Sequence, residues 1–217
     1  MAAILMISTS HADNPDGICT AAWWRGFSRR APDIPAAQRP LRLVPALQII
    51  TRLTHALAMS DGAVGAHCIH ELWMRHDLSV NIDHALELLW KSAAKSIPHW
   101  LPMRDIDWLP LAYEEAARFR ASGRGRTNMY LVLLDYSDSR DEPYGIYVGM
   151  SRYSPEWRFD QHKAGIRAAG SVLRRGLEVL TGPTMHLQNI KRAEAARIEV
   201  ELAQALKEAG LFVQGGH

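Results

Sequence analysis

Five side chains in the C-terminal half of the chain are of types that commonly transfer protons, stabilise negative charge or bind metal ions. They are Tyr130, Tyr147, Arg158, His162 and Glu199. Arg158 and His162 are four residues apart, so on a helix both project from one face. Each of the five alone is more often a packing or solvated residue. It is their arrangement as a set that indicates chemistry.

Glu199 stands beside an apolar stripe on the last predicted helix. The stripe comprises Ala195, Ile198, Leu202, Leu206 and Ala209. At about 100° per residue, Glu199 falls at its edge. A carboxylate directed toward the core is costly unless a cation meets it. A metal ion or Arg158 would serve; the alternative is that Glu199 only flanks the stripe and reaches water.

The pattern after residue 128 predicts the elements that hold these side chains. Two apolar runs separated by a polar turn region indicate a hairpin with a long loop. Pro155 fits the first turn of a helix, and Gly210 is well placed to cap the last one. The predicted elements are strand Met129–Asp135, strand Gly145–Gly149, helix Pro155–Lys163, a weak strand Leu177–Leu180, helix Arg192–Ala209 and a short strand Leu211–Gln214.

The chain before this region is predicted to be mostly helical. The Gly, Ser and Arg residues at 121–127 are typical of an exposed linker, which gives a helical module 1–120, a linker 121–127 and a domain 128–217. The elements predicted in the module are strand Ile4–Ser8, helix Ile18–Phe27, a helix from Pro45 through Leu57, and helices Val64–Met74, Asp83–Ser96 and Leu109–Arg120.

Composition restricts the class of protein. The 217 residues are 47% hydrophobic and 22% charged, as in a soluble globular protein, and this excludes disorder as the overall state. No apolar run approaches the ~18 residues needed to cross a bilayer, so no membrane association is expected. The run Met1–Ser8 lacks the basic start of a signal peptide. Two cysteines, Cys19 and Cys68, indicate a reducing compartment and a cytoplasmic protein.

Basic residues are concentrated in one part of the chain. The formal net charge is +2, but residues 162–197 contain seven lysines and arginines against two glutamates. Such a stretch can line a phosphate-binding surface, or it can be a solvated face without a ligand. The candidates for nucleic-acid contact are Lys163, Arg167, Arg174, Arg175, Lys191 and Arg192.

The chain from about residue 128 onward resembles the GIY-YIG nuclease family. Asn128-Met129-Tyr130 stands in the place of the first motif, and Tyr147-Val148-Gly149 in the place of the second. Arg158 takes the position of the family's helical arginine, and Glu199 that of its metal-binding glutamate. The segment after the second motif and the closing helix are especially similar to a bacterial stand-alone subgroup.

The resemblance implies an endonuclease that hydrolyses DNA phosphodiester bonds with one divalent ion, Mg²⁺ or Mn²⁺, held by Glu199. It implies an α+β protein in which helices flank a short antiparallel sheet and the helical module comes first. Tyr147 would help to deprotonate water, with its pKa lowered by Arg158 and the metal. Arg158 would also stabilise the phosphorane. Tyr130 would orient the water or the phosphate, and His162 would act as a base or a phosphate ligand.

Two departures from the family pattern support an alternative function. Met150 stands where several members have a lysine, and Gln214 is the nearest candidate for an asparagine that many members carry near the last strand. The alternative is a nucleic-acid-binding protein with a catalytically degenerate GIY-YIG fold. The helical module is expected to serve in targeting, in homodimerisation or in binding a protein partner. A protein-interaction module that uses its tryptophans is a third hypothesis.

Two weaker patterns fall in the helical module. The segment Ile4–Ala22 has some similarity to the Asp-rich first motif of DHH phosphoesterases, with Asp13 and Asp16 as metal ligands, although an Asx-type turn fits better. One helix-sized stretch has the residue types of a zinc site but lacks paired Cys/His spacing, so an ordinary half-buried helix is preferred. Its residues are His67, Cys68, His70, Glu71 and His76.

Overall fold

The computed structural model describes Phe27 and residues 29–216 of the chain. The predicted strand Ile4–Ser8, the predicted helix Ile18–Phe27 except its last residue, and Asp13 and Asp16 lie outside the described residues. Within these, the structure is of the mixed α/β type, with eight α-helices and a four-stranded mixed sheet. None of the described helices has both the length and the apolar character needed to cross a bilayer.

Residue contacts divide the chain into two compact units. The first contains Met1–Ile34 and Gln38–Pro98, and the second contains Pro35–Ala37 and His99–His217. The division at Pro98 precedes the predicted linker 121–127. Part of that predicted linker is a strand of the second unit, since the strand begins at Arg124.

Three α-helices form the described part of the first unit. They are Ala46–Ala58 (α1), Gly62–Met74 (α2) and Ile82–Ala93 (α3), with short 3₁₀ helices at Ala31–Asp33 and Ala94–Ser96. α2 contacts both α1 and α3 and is buried as far as Trp73. Asp61 is the N-cap of α2, and its carboxylate accepts a hydrogen bond from the Val64 N–H (3.0 Å). A Cβ on Gly65 would lie 2.5 Å from Leu89 Cδ1, so this glycine lets α3 approach closely.

A four-stranded sheet forms the centre of the second unit. Its strands are Arg124–Asp135 (β1), Tyr144–Ser151 (β2), Gly176–Val179 (β3) and Val213–Gly215 (β4). Their order is β3-β1-β2-β4, with β1 antiparallel to β2 and to β3, and β4 parallel to β2. The sequence predicts an antiparallel sheet. The last strand differs because the chain passes through helices between β2 and β4, and such a crossover permits parallel pairing.

Five α-helices belong to this unit. They are Leu109–Ala117 (α4), Pro155–Lys163 (α5), Gly170–Arg175 (α6), Thr181–Thr184 (α7) and Arg192–Glu208 (α8), with a 3₁₀ helix at Met185–Leu187. α5 and α6 contact β1 and β3, whereas α8 contacts β1, β2 and β4. Val132 clusters with Val172 of α6, and its neighbours Leu131 and Leu133, which point to the opposite face, are equally buried. Both faces of β1 are therefore covered, as its continuous apolar sequence requires.

The helices and strands predicted after residue 45 are confirmed as elements, and α5 has the predicted bounds. The largest difference is at the start of β1, where Arg124 and Thr127 pair with Ile190 and extend the strand. α6 and α7 are absent from the sequence prediction because helices of six and four residues are too short to show a period. Gly210 follows α8 with a φ of +96°, which confirms the predicted cap.

Candidate active site

Tyr130 and Tyr147 lie together on one face of the sheet. Tyr130 is paired with Gly149 and Tyr147 with Val132, so the two tyrosines are diagonal neighbours on adjacent strands. Their ring centroids are 6.0 Å apart. Tyr130 is buried and Tyr147 is half-buried, so solvent has access to Tyr147 in preference to Tyr130.

Gly149 makes room for this pair. A Cβ at this position would lie 2.7 Å from Tyr130 Oη and 2.6 Å from Tyr147 Cε1. Neither distance is tolerated in a close-packed interior, so any other residue would displace one of the two rings. The glycine of the second motif is therefore required for steric reasons.

Helix α5 brings His162 to the tyrosines. Ser154 is the N-cap of this helix, and its hydroxyl accepts a hydrogen bond from the Trp157 N–H (3.3 Å). His162 is buried, and its Nε2 lies 2.9 Å from the Tyr130 hydroxyl. Its ring centroid lies 5.9 Å from that of Tyr147 in an edge-to-face arrangement. One histidine thus contacts both tyrosines.

A backbone hydrogen bond sets the tautomer of His162. The Ala169 N–H donates to His162 Nδ1 at 2.9 Å. Because Nδ1 accepts, the proton of the neutral ring is on Nε2, which donates to the Tyr130 hydroxyl. Burial, followed by the charge of Arg158, lowers the pKa of His162 to about 4, so the ring is neutral near pH 7.

Burial is the largest influence on both tyrosines. It raises the pKa of Tyr130 far above its usual value, and it also raises the pKa of Tyr147. For Tyr147, the hydrogen bond with Tyr130 and the charge of Arg158 lower the pKa, while the charge of Glu199 raises it further. The family resemblance implies a lowered pKa for Tyr147. In the protein alone the shift is upward, because desolvation outweighs the effect of Arg158.

The guanidinium of Arg158 is held in place by residues in and after the last turn of α5. Nη1 donates to Gln161 Oε1 (3.1 Å) and to the Ile166 carbonyl (3.2 Å), and Nη2 donates to the Arg167 carbonyl (2.8 Å). From this position its charge acts on the pKa of both tyrosines and of His162. The arginine is therefore a fixed cation beside the hydrogen-bonded centre.

Glu199 is a buried carboxylate on α8, with a relative exposure of 8%. Burial raises its pKa, and a hydrogen bond with the Met150 backbone opposes that shift. Its charge raises the pKa of Tyr147, so the carboxylate lies within electrostatic reach of that hydroxyl. Among the described residues, no lysine, arginine or histidine forms an ion pair with it, and Arg158 is engaged by the carbonyls of its own loop.

Glu199 is the carboxylate at this site that could hold a divalent ion. No group of three or more His, Cys, Asp or Glu side chains converges in the described part of the chain. A single carboxylate, with water and substrate phosphate as the other ligands, is a usual way to hold Mg²⁺. A buried carboxylate without a cationic partner is also where a bound cation compensates most charge.

The last strand lies along the other side of Tyr147. β4 is parallel to β2, and Gln214 is in register with Tyr147, so the two side chains share a face of the sheet. Gly215 has a φ of +83°, and a Cβ there would lie 3.0 Å from Tyr147 Cε2. Gln214 therefore lies beside Tyr147 on the same face of the sheet.

The six basic residues predicted to contact DNA fall into separate groups. Three line one cavity: Lys163, Arg174 and Arg175. Two begin α8, Lys191 as its N-cap and Arg192 as its first residue. Arg167 lies in the loop that holds Arg158. The sequence stretch 162–197 is thus not one continuous basic surface along a single element.

Polar side chains in the histidine-rich stretch of α2 form hydrogen bonds within the first unit. Glu71 accepts hydrogen bonds from Arg39 (Nη2 to Oε1, 2.9 Å; Nε to Oε2, 3.1 Å) and from Arg75 (Nε to Oε1, 2.6 Å). His67 Nε2 donates to the Ala31 carbonyl at 2.7 Å. Burial raises the pKa of the Cys68 thiol, so that group stays protonated. The Glu71 carboxylate is therefore bound by two arginines, as in an ordinary helix, which is the preferred prediction for this stretch.

Two contributions to the site are not apparent in the sequence. The Ala169 N–H is a backbone group and has no residue-type signature. Gly215 lies beside Tyr147 only because β4 pairs with β2. Its position in a closing Gly-Gly pair was the one available signal.

Comparison with known proteins adds no relative. No family model, no curated protein and no solved structure matches this chain. The function must therefore be inferred from the geometry of the five side chains.

Proposed function

We propose that the second unit is a metal-dependent endonuclease of the GIY-YIG type, which hydrolyses DNA phosphodiester bonds. The observation that best supports this is the gathering of five side chains from four separate elements, of which three are in mutual contact and two have charges that act on the pKa of Tyr147. They are Tyr130, Tyr147, Arg158, His162 and Glu199. A phenol, a fixed cation and a desolvated carboxylate together suit the hydrolysis of an anionic ester.

Tyr147 is the proposed base. His162 donates a hydrogen bond to the Tyr130 hydroxyl, so the Tyr130 O–H is available to donate to Tyr147. These two consecutive hydrogen bonds stabilise a phenolate on Tyr147. The attacking water passes a proton to Tyr147 Oη, and its oxygen forms the new bond to phosphorus. The bond from phosphorus to the leaving oxygen then breaks, and the leaving alkoxide, which keeps the electron pair, takes up a proton from solvent water. Arg158 stabilises the charge that develops on the phosphate oxygens.

Glu199 is the proposed ligand of one Mg²⁺ or Mn²⁺. When bound there, such an ion would supply positive charge near the scissile phosphate and the leaving oxygen. Tyr147 needs that charge, because burial holds its pKa above the usual value in the protein alone. The carboxylate on α8 and the phenol on β2 therefore act on the same proton transfer.

Nicking of supercoiled plasmid in Mg²⁺ or Mn²⁺ tests this proposal. Glu199→Gln removes the predicted metal ligand without changing side-chain size, so nicking should fall at least about a hundredfold while DNA binding is retained. Glu208→Gln, at an exposed position on the same helix, is the matched control and should nick like the wild type. Equal nicking by wild type and Glu199→Gln would contradict the proposal.

A nucleic-acid-binding protein without turnover is the second candidate. The raised pKa of Tyr147 and the presence of Met150 in place of a lysine favour it. Salt-sensitive DNA binding without cleavage of plasmid, branched or single-stranded DNA would support it. The cytoplasmic location, and the role of the helical half in homodimerisation or in binding a protein partner, stay predictions.

A further inference from the structure

A cavity of about 490 Å³ lies in the second unit, between the loop after β1, the end of α5 and helix α6. Its cationic lining residues are Lys163, Arg174 and Arg175, and the loop contributes Asp135, Ser137 and Asp138. Three cations and two carboxylates therefore face one concave surface. Which of these charges is available to a ligand depends on their present partners.

One carboxylate is paired with a cation, whereas the other is hydrogen-bonded and keeps its negative charge, so the three cations and two carboxylates leave a net charge of +1. Asp138 accepts from Arg175, with Nη1 to Oδ1 at 2.6 Å and Nη2 to Oδ2 at 3.2 Å. Asp135 accepts from the Ser137 N–H (3.0 Å) and from the Ser137 hydroxyl (2.7 Å). Arg175 also stacks on Tyr136, with its Cζ 4.4 Å from the ring centroid. These contacts fix the wall of the cavity, and the ion pair neutralises Arg175.

The other two cations keep their charge. Lys163 Nζ donates to the carbonyls of Leu173 (3.3 Å) and Gly176 (3.1 Å), which fix its position without neutralising it. An ammonium has three donors, so one remains for a ligand. Within the described part of the chain, Arg174 forms no hydrogen bond or ion pair. A pre-positioned ammonium beside an unpaired guanidinium is a site for a phosphate.

We propose that this cavity binds a backbone phosphate of the nucleic-acid strand at a position other than the one that is cleaved. The proposal rests on the proposed nuclease function and assigns a second contact point to its substrate. Lys163 directly follows His162 on α5, so one helix links the cavity to the hydrogen-bonded centre. A strand held at both points is positioned lengthwise without any reading of its bases.

Salt dependence of DNA binding tests the cavity apart from catalysis. The parent protein for these measurements is the Glu199→Gln variant. Its affinity for a short DNA duplex is measured without metal from about 50 to 200 mM salt. The same measurement is made after Arg174→Gln or Lys163→Gln is added to it. Each lost phosphate contact should lower the slope of log K against log salt by about 0.9. Arg174→Lys should retain the slope. Lys207→Gln, in the last turn of α8, should not change it, and thermal unfolding checks that every variant is folded.

Three outcomes would overturn the proposal, each in a different way. Equal slopes in all variants would overturn the cavity site and leave the nuclease function standing. Absence of DNA binding by Glu199→Gln itself, the parent of the series, would overturn both the cavity site and the proposed nuclease function. In the third outcome, titration with inorganic phosphate gives saturable changes in the NMR chemical shifts of the Gly176 and Leu177 amides, while the slopes of log K against log salt for DNA stay equal in all variants. That result would show that the cavity takes a small free phosphate and not the strand.

Discussion

Each of the two units buries a glutamate on a helix, but the two carboxylates have different partners. Glu71 in the first unit has a side-chain exposure of 1% and accepts hydrogen bonds from Arg39 and Arg75. Glu199 in the second unit is 8% exposed and forms no ion pair with the described residues. Burial raises its pKa. A buried charge that the fold itself leaves uncompensated is costly, and such costs are expected at functional sites.

The buried histidines differ in the same way. His67 donates to the Ala31 carbonyl, a backbone group of the first unit. His162 receives a bond from the Ala169 N–H and donates to Tyr130, from which the chain continues to the half-buried Tyr147. In the first unit the buried histidine donates to a backbone carbonyl. In the second unit the buried histidine donates to a tyrosine that acts on the half-buried Tyr147.

Replacing each glutamate by glutamine should give the largest contrast. Glu71→Gln leaves two arginines without their anion and should lower the free energy of unfolding by about 3 kcal/mol. This is the low end of the range for a broken buried pair, because both arginines partly reach solvent. Glu199→Gln removes an unpaired buried charge, so denaturant unfolding should show equal or greater stability than in the wild type.

Magnesium is the control for this contrast. Binding to the folded state alone raises the melting temperature, so Mg²⁺ should stabilise the wild type and leave Glu199→Gln unchanged. If Glu199→Gln were as destabilised as Glu71→Gln, Glu199 would be a structural residue and the contrast between the units would be lost.

The parts of the site that the sequence predicts are those with local signals. Ser154 and Pro155 mark the start of α5, and their i, i+4 followers Arg158 and His162 then share a face by helical geometry. Tyr130 and Tyr147 lie in continuous apolar runs, which predict buried strands. Glu199 is found at the edge of an apolar stripe, and it is buried in the structure as that position implies.

The parts that the sequence does not predict depend on distant contacts. The division at Pro98–His99 arises because α4 contacts α7 and α8, which lie far along the chain. The direction of β4 follows from its pairing with β2. The upward shift in the pKa of Tyr147 depends on how deeply the ring is buried, and residue type and spacing do not determine that.

Two glycine substitutions sharpen the comparison at the level of packing. Gly149→Ala places a methyl group against both tyrosines and should slow plasmid nicking by at least about tenfold, with about 1–3 kcal/mol lost in stability. Gly65→Ala in the first unit meets only the end of the Leu89 side chain, which can move. It should cost stability at most and leave the nicking rate unchanged. Wild-type nicking by Gly149→Ala would show that the tyrosine geometry is not needed.

The pH dependence of stability gives the smallest expected effect. The pKa of folded His162 is about 4, below the ordinary value of 6.5, so between these pH values the unfolded chain binds the extra proton. The stability contributed by the neutral ring is complete above pH 6.5 and is lost as the pH falls toward 4. His162→Gln should therefore reduce the slope of unfolding free energy against pH in this window, by up to about 1.4 kcal/mol per pH unit.

His67→Gln is the matched variant in the first unit, because burial also lowers the pKa of His67. Both variants should reduce the slope of unfolding free energy against pH, since each unit buries a neutral imidazole. A reduced slope in His67→Gln alone would mean that the pKa of folded His162 is not lowered, so that its ring is protonated within this pH window. Its Nδ1 would then carry a proton and could not accept from the Ala169 N–H. The order of donation through Tyr130 to Tyr147 would then have no basis.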